Sequence, residues 1–498
     1  MVIGDEKSLD EEKINQTMMQ FFEWYLPKDC NLWNIISDEA TNLESIGITS
    51  VWLPPAYKGS GGNQDTGYGV YDMYDLGEFL QKGSIGTKYG TVEEYLNAIK
   101  ILKAHNIKVD ADVVFNHRIG ADDKEKIFAY KMDTKNRNNR IGKLREIEAY
   151  TKFDFPERYN KYSSFKWNAS HFDGVDYDAK KKQVGIYLFY GKSWDRNVDL
   201  ENGNFDYLMG ADVDFNNVEV VEELVNWGIW YINRTNVDGV RLDAVKHIKA
   251  DFFKEWLSKV EEKVGKKLFC VGEYWSPYLE ALEYFIKQND NRIKLFDVPL
   301  HFNLFEASKQ HEKYDLKNIL KGTLVKSMPK MAVTFVDNHD SEPGQALESF
   351  IEDWFKPLAY ALILLRKDGI PCVFYGDYYG IEKYNYKGFK LLIERMISIR
   401  KKYIYGVQND YFNDRSLIGW TLEGNPYGKK YGCAVVLSNK SGLHTKKMFI
   451  GERFANAKFV DVLGYIPKAI RIDSNGYGLF KCDGISVSCW VPEDSIFE

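Results

Sequence analysis

The sequence predicts an α/β protein: a parallel (β/α)8 barrel with a small β-rich domain inserted after its third strand and an antiparallel β-sandwich domain at its C-terminal end. Three observations carry this reading. Eight short apolar runs alternate with helical patterns, one long interval breaks that alternation, and beyond about Tyr405 the pattern changes to short alternating runs separated by Gly, Asn, Asp and Pro.

The eight runs are Met18 to Trp24, Thr49 to Leu53, Val109 to Phe115, Gly239 to Val245, Leu268 to Tyr274, Leu295 to Leu300, Ala332 to Val336 and Cys372 to Tyr375. Several are almost continuously hydrophobic, as strands covered on both faces must be. The segments between them read as helices. Thr91 opens one, with Glu94 completing a capping box and Tyr95, Leu96, Ile99 and Leu102 forming an apolar stripe. Ser276 is expected to open another with Pro277 at its first position, and Val220 to Asn233 is a third. Strands alternating with helices in this way imply a TIM-type barrel.

From about Asn116 to Asn217 there is no simple helix, and a structureless loop of that length is improbable, so the interval reads as an inserted domain. The C-terminal runs Cys433 to Leu437, Lys458 to Val462, Ile470 to Ile472 and Ile485 to Trp490 read as antiparallel strands. The expected division is barrel 1–115 and 218–404, inserted domain 116–217, and C-terminal domain 405–498. About three domains also fits 498 residues at roughly 150 per domain.

Composition narrows the function. A net charge of −6 argues against nucleic acid, whose phosphates need clustered positive charge, and the longest basic run, Lys180 to Lys182, reads as an exposed turn. No window of about 18 apolar residues suggests a membrane span. Met1 to Gln16 is polar and acidic, without the pattern of an export signal. Six scattered cysteines show no metal-ligand spacing and fit reduced thiols in a cytoplasmic, monomeric enzyme; a secreted protein with its signal trimmed is the alternative. The 33 Tyr and 12 Trp build a large core, and rings of this kind also stack on the C–H faces of sugars.

In barrels of this type the active site lies at the C-terminal strand ends. Strand three ends Asp112-Val-Val-Phe-Asn-His117, strand four Arg241-Leu-Asp243-Ala-Val-Lys246-His247, strand five Glu273-Tyr-Trp275, and strand seven Asp337-Asn-His339-Asp340. Any one of these acids or histidines alone would be read as a loop cap or a satisfied polar group. Together on one rim they form a constellation. Asp243 and Glu273 end consecutive parallel strands, roughly 4.8 Å apart in a sheet, and a carboxylate pair about 5–5.5 Å apart is what retaining glycoside hydrolysis requires. Arg241 shares a strand face with Asp243, and its fixed charge favours the ionised nucleophile. Glu273 must stay protonated in a drier pocket, to which Tyr274 and Trp275 contribute. Asp340, His117 and His339 suit recognition of sugar hydroxyls.

Those four strand ends, taken in order as Asp112-Val-Val-Phe-Asn-His117, Gly239-Val-Arg-Leu-Asp-Ala-Val-Lys-His247, Val271-Gly-Glu-Tyr-Trp275 and Phe335-Val-Asp-Asn-His-Asp340, resemble the four signature regions of the α-amylase family. Gly67-Tyr-Gly-Val-Tyr-Asp72, Trp354-Phe-Lys-Pro-Leu-Ala-Tyr360 and Val373-Phe-Tyr-Gly-Asp377 extend the likeness, which runs from about Gln16 to the C-terminus and is nearest to the bacterial liquefying type. The resemblance implies an α-glucan substrate, with Asp243 as nucleophile, Glu273 as general acid/base and Asp340 as transition-state stabiliser. It places Tyr68 under the sugar at the cleavage site with His117, Arg241 and His339 around it, and Lys246, His247 and Trp275 along the subsites of the departing half. The Lys246-His247 pair is typical of α-1,4-acting members.

It also implies a structural Ca2+ held by Asn116, Asp206, Asp212 and the His247 carbonyl. Asp173, Asp195 and Asp214 match acidic positions of an extended cluster with a further Ca2+ or Na+. Spacing alone would leave these as solvated acidic loops. Gly210 stands in that loop where relatives often carry an aromatic residue. Gly59-Ser-Gly-Gly62 lacks the Gly-Lys-Ser/Thr of a phosphate loop, and the sequons at Asn15, Asn168, Asn233 and Asn439 are chance matches in a cytoplasmic protein. A transglycosylase or maltooligosaccharide-forming enzyme would share every catalytic residue. A non-catalytic carbohydrate-binding relative would have lost a carboxylate, and none is missing.

Overall fold

A computed structural model describes residues 15–425 and 431–496. The N-terminal stretch that bears on export therefore lies outside the described residues, apart from Asn15 and Gln16. Eight strands, β1 (Met18–Gln20), β2 (Ser50–Leu53), β3 (Lys108–Val113), β4 (Gly239–Leu242), β5 (Phe269–Gly272), β6 (Lys294–Phe296), β7 (Ala332–Phe335) and β8 (Ile370–Phe374), close into a parallel barrel in sequence order, with β8 returning to β1. Each of the eight apolar runs overlaps one strand, with β3, β6 and β8 beginning one or two residues before their runs.

The differences are local. The Leu295 to Leu300 run is split, because Asp297 caps a helix over Val298–Gln310, accepting from the Leu300 amide at 3.1 Å with Pro299 in the first turn. The helix expected from Ser276 begins later, at Leu279. Ser276 instead accepts from the Tyr278 amide at 3.3 Å, and the Trp275 carbonyl is taken by Lys246 Nζ at 3.0 Å, so this segment turns along the rim before it winds. The Thr91–Glu94 capping box is present and opens Val92–Ala104, and the third helix spans Val218–Thr235.

Between β3 and β4 lies a six-stranded sheet in the order 117–118, 211–213, 172–178, 183–189, 123–131, 145–152. Its 211–213 strand pairs Asp212 with His117 on one side and with Gly174 on the other. The inserted sheet is thus stitched to the end of β3. Beyond the barrel, a second six-stranded sheet packs with the two-stranded antiparallel sheet His444–Phe449/Tyr477–Cys482 around Val436, Met448, Phe459, Phe480 and Trp490.

One buried ion cluster fixes the end of β7. Lys356 Nζ donates to Asp337 and to Asp377 Oδ1 (2.5 Å), Ser341 Oγ donates to Asp337 Oδ1 (2.8 Å), and Tyr360 and Tyr386 donate to Asp377. An ammonium so deeply buried is tolerable only because two carboxylates surround it.

Candidate active site

β4 and β5 run in register, Arg241 opposite Val271 and Leu242 opposite Gly272, so Asp243 and Glu273 emerge side by side. The main chain continues the ladder past both: Asp243 donates its N–H to the Val113 carbonyl at 2.9 Å, and Glu273 to Leu242 at 2.9 Å. Between the two side chains sits Arg241, fully buried. Its Nη1 donates to Asp243 Oδ1 at 2.5 Å and to Asp112 Oδ1 at 3.0 Å, while Nη2 donates to Glu273 Oε2 at 3.1 Å. One guanidinium therefore orients both carboxyl groups through its rigid fork of donors.

The two acids differ in surroundings. Burial pushes the Glu273 carboxyl up to about 8, with Arg241 opposing and the Asp243 and Asp340 charges adding to the rise. Glu273 thus carries a proton near neutrality, as an acid catalyst must. Burial likewise raises Asp340 to about 7, again against Arg241. Burial lowers His117 and His339, so both rings are neutral. Gln20 Nε2 donates to His339 Nδ1 at 3.1 Å, which leaves the imidazole proton on Nε2, 3.4 Å from Asp340 Oδ2.

Tyr68 lies nearly parallel to His339, 5.0 Å and 11° away, and its hydroxyl donates to Asp112 Oδ2 at 2.7 Å. His117 Nε2 meets the Tyr68 carbonyl at 2.8 Å. Asp243, Glu273, Asp340, Arg241, Tyr68, His117 and His339 are therefore assembled at one end of the barrel. Lys246 is held at the rim by Glu201 Oε2 (3.0 Å) and the Trp275 carbonyl. His247 Nδ1 meets the Phe205 carbonyl at 2.6 Å, and Trp275 packs on His301, Phe302 and Phe335. The Tyr274 hydroxyl reaches the inserted domain, donating to Asp199 Oδ2 at 2.6 Å.

Sequence reasoning gave Asp112 no role, yet it accepts from Arg241, Tyr68 and Trp52 Nε1 (2.9 Å). The signal was present in the register, which sets Asp112 opposite Arg241. Trp24, Gln20, Asp199 and Glu201 were also missed: Gln20 ends β1 and Trp24 follows it within the first apolar run, while Asp199 and Glu201 lie in the inserted segment, and none of them stands in a motif that marks its partner.

Of the residues expected at the metal, Asp173, Asp206 and Asp212 bring one oxygen each within 4.8 Å of one another, all buried. Burial and mutual repulsion raise all three well above the carboxylate range. Both side-chain polar atoms of Asn116, and an oxygen each of Asp173, Asp195 and Asp212, are buried without a partner. The three converging carboxylates, two of them with an unpaired buried oxygen, could hold a hard cation such as Ca2+. Asp195 turns one oxygen to Asn216 Nδ2 at 2.5 Å, and Asp214 is paired with Lys192. An ammonium already neutralises the Asp214 corner of the extended cluster. Gly210 has φ +61°, and a Cβ there would meet the Arg118 carbonyl at 2.8 Å, so this loop is shaped around glycine.

A family model for the catalytic domain of α-amylase matches residues 33–425. The chain belongs to the α-amylase family. An α-amylase from Geobacillus stearothermophilus is 52% identical, with 96% of this chain and 87% of the relative covered. A glucan 1,4-α-maltohexaosidase from Bacillus sp. strain 707 is 50% identical (96% and 92% covered), and a cytoplasmic α-amylase from Escherichia coli 42% (97% and 100%). Among solved structures, an Anoxybacillus α-amylase superposes with a TM-score of 0.64 at 20% identity, covering 96% of this chain and 97% of that one, which supports the fold alone. No helix of this α-amylase-family enzyme is long and apolar enough to cross a membrane among the described residues.

Proposed function

We propose that this enzyme hydrolyses internal α-1,4-glucosidic bonds of starch, glycogen and maltooligosaccharides with retention of anomeric configuration. The observation that carries this is the pairing of Asp243 and Glu273 through Arg241, with Glu273 held neutral by burial. Asp243 attacks the anomeric carbon as Glu273 gives its proton to the glycosidic oxygen; the bond to that oxygen breaks and a glycosyl ester to Asp243 forms. The Glu273 carboxylate then takes a proton from water, whose oxygen displaces Asp243 and returns both acids to their starting states. Asp340 and the neutral His117 and His339 are placed to hydrogen-bond hydroxyls of the sugar being distorted, and Tyr68 offers its ring to the sugar face. Lys246, His247 and Trp275 line the route of the departing half. Digestion of soluble starch and glycogen, followed by iodine staining and product chromatography, tests this. Fast loss of staining with mixed maltooligosaccharides is expected, whereas redistribution of lengths without net hydrolysis would assign a transglycosylase.

We further propose that Asn116, Asp206, Asp212 and the His247 carbonyl, with Asp173 nearby, hold a structural Ca2+, and that Asp195 is available to a second cation. Bound there, the ion neutralises the buried acids and ties the inserted sheet to the barrel. The unpartnered oxygens of Asn116, Asp173 and Asp212 support this. Calorimetric titration of chelated protein that detects no Ca2+ binding would overturn it. A monomer acting in the cytoplasm is the accompanying proposal, supported by six free thiols and the likeness to the E. coli protein.

A further inference from the structure

Two of the three aromatic rings at the cleavage site are fixed by their own polar atoms. Tyr68 is held through its hydroxyl by Asp112, and His339 through Nδ1 by Gln20. The third, Trp24, lies parallel to both, 5.8 Å and 11° from Tyr68 and 6.1 Å and 9° from His339. Among the described residues its indole nitrogen has no hydrogen-bond partner, so this ring is placed through its backbone. The Trp24 amide donates to Glu342 Oε1 at 2.8 Å, and its carbonyl accepts from Lys88 Nζ at 2.9 Å. Both partners are buried, Glu342 completely. The partly exposed Trp24 also walls an open groove of about 680 Å³ shared with Tyr25, Gln64 and Lys88.

We propose that Glu342 is a positioning residue for the cleavage site, which by accepting the Trp24 amide holds the indole against Tyr68 and His339 and so fixes the apolar wall beside the bound glucan. This rests on the α-glucan reading given above. Glu342 follows Asp340 by two positions, and the loop between them is pinned by Ser341 to Asp337. The next residue is tied to the same loop, since the Tyr25 hydroxyl donates to the Pro343 carbonyl at 2.8 Å. Trp24 and the stabilising carboxylate are thus attached to one rigid segment. Glu342 acts here as a neutral acid: its Oε2 is buried without a partner, and burial beside Glu23 pushes it up to about 9. Glutamine has the same shape and keeps the acceptor, whereas alanine removes it.

The test is a double-mutant cycle in the full-length protein with maltoheptaose as substrate. E342A is expected to lower kcat/KM by about tenfold to a hundredfold, as displacement of a substrate-positioning group does, and E342Q to recover most of that loss. In a W24A background the same E342A change is expected to have almost no effect, because the ring it positions is gone. Equal losses in both backgrounds, or a lower Tm with unchanged kcat/KM, would overturn the proposal. E342D, with its shorter arm, replaces E342A if the alanine variant does not fold. A wild-type protein without activity on maltoheptaose would count against the α-glucan reading instead. Near-UV circular dichroism, which needs no turnover, then decides: the difference that E342A makes in the wild type should vanish in a W24F background, and its persistence would contradict the assignment.

Discussion

Replacing Asp212 by Asn should change stability in opposite directions with and without Ca2+. In chelated protein, Asp173, Asp206 and Asp212 confront one another with oxygens within 4.8 Å, and at an effective dielectric of about 20 each fully charged pair repels by roughly 3 kcal/mol. Asp212 takes part in two of those pairs, so D212N removes repulsion while leaving an amide of nearly equal volume. The chelated variant should be as stable as the wild type or more so, by up to roughly 3 kcal/mol for each of those pairs that is charged. With Ca2+ present the same change deletes a charged ligand. A site filled at about a hundredfold over its Kd contributes about 2.7 kcal/mol, and a hundredfold weaker site forfeits most of that. Thermal unfolding of both proteins in EDTA and in millimolar Ca2+ reads the two effects directly. If D212N lowers Tm equally in both, the acidic trio is a packing feature and the metal assignment fails.

Glu273→Gln removes the proton donor while keeping its shape, so turnover should fall by about 10²–10⁴ with maltoheptaose binding retained; undiminished kcat would remove Glu273 from its role. Because Glu273 must be protonated and is pushed up to about 8, kcat/KM should decline as pH rises through that value, and this alkaline limb is read from a pH–rate profile on maltoheptaose. The same raised value has a stability consequence. The folded protein keeps a proton that the unfolded chain releases, so stability falls as pH rises from the ordinary carboxyl range toward about 8. E273Q lacks that slope, and its Tm advantage over wild type should grow between about pH 5 and about pH 8. Lys356→Met strands the buried Asp337 and Asp377 carboxylates and should cost about 3–5 kcal/mol in urea unfolding, whereas a change below about 1 kcal/mol would mean that the cluster contributes little.

The barrel was legible because strands covered on both faces are largely apolar, which marks several of the eight runs, and because helical patterns alternate with them. Legibility ended where a run changes element within itself: Leu295 to Leu300 is one apolar stretch, yet Asp297 divides it into strand and helix. The acids proposed as catalytic could be singled out because strand ends concentrate polar chemistry on one rim. Asp112 escaped notice because its role depends on a cross-strand partner, Arg241, and not on its own neighbours. Trp24 and Glu342 are far apart in sequence and meet only when β1 and β7 are brought to the same end of the barrel. The pairing of Asp214 with Lys192 is of the same kind: the cation arrives from a turn that carries no sign of its partner.

The most direct test of the central claim is the anomeric configuration of the first product. Proton NMR during early hydrolysis of maltoheptaose should show the newly formed reducing ends as α-anomers, which convert to the equilibrium mixture only later. Initial release of β-anomers would contradict the account, because direct attack by water would then replace the Asp243 ester intermediate.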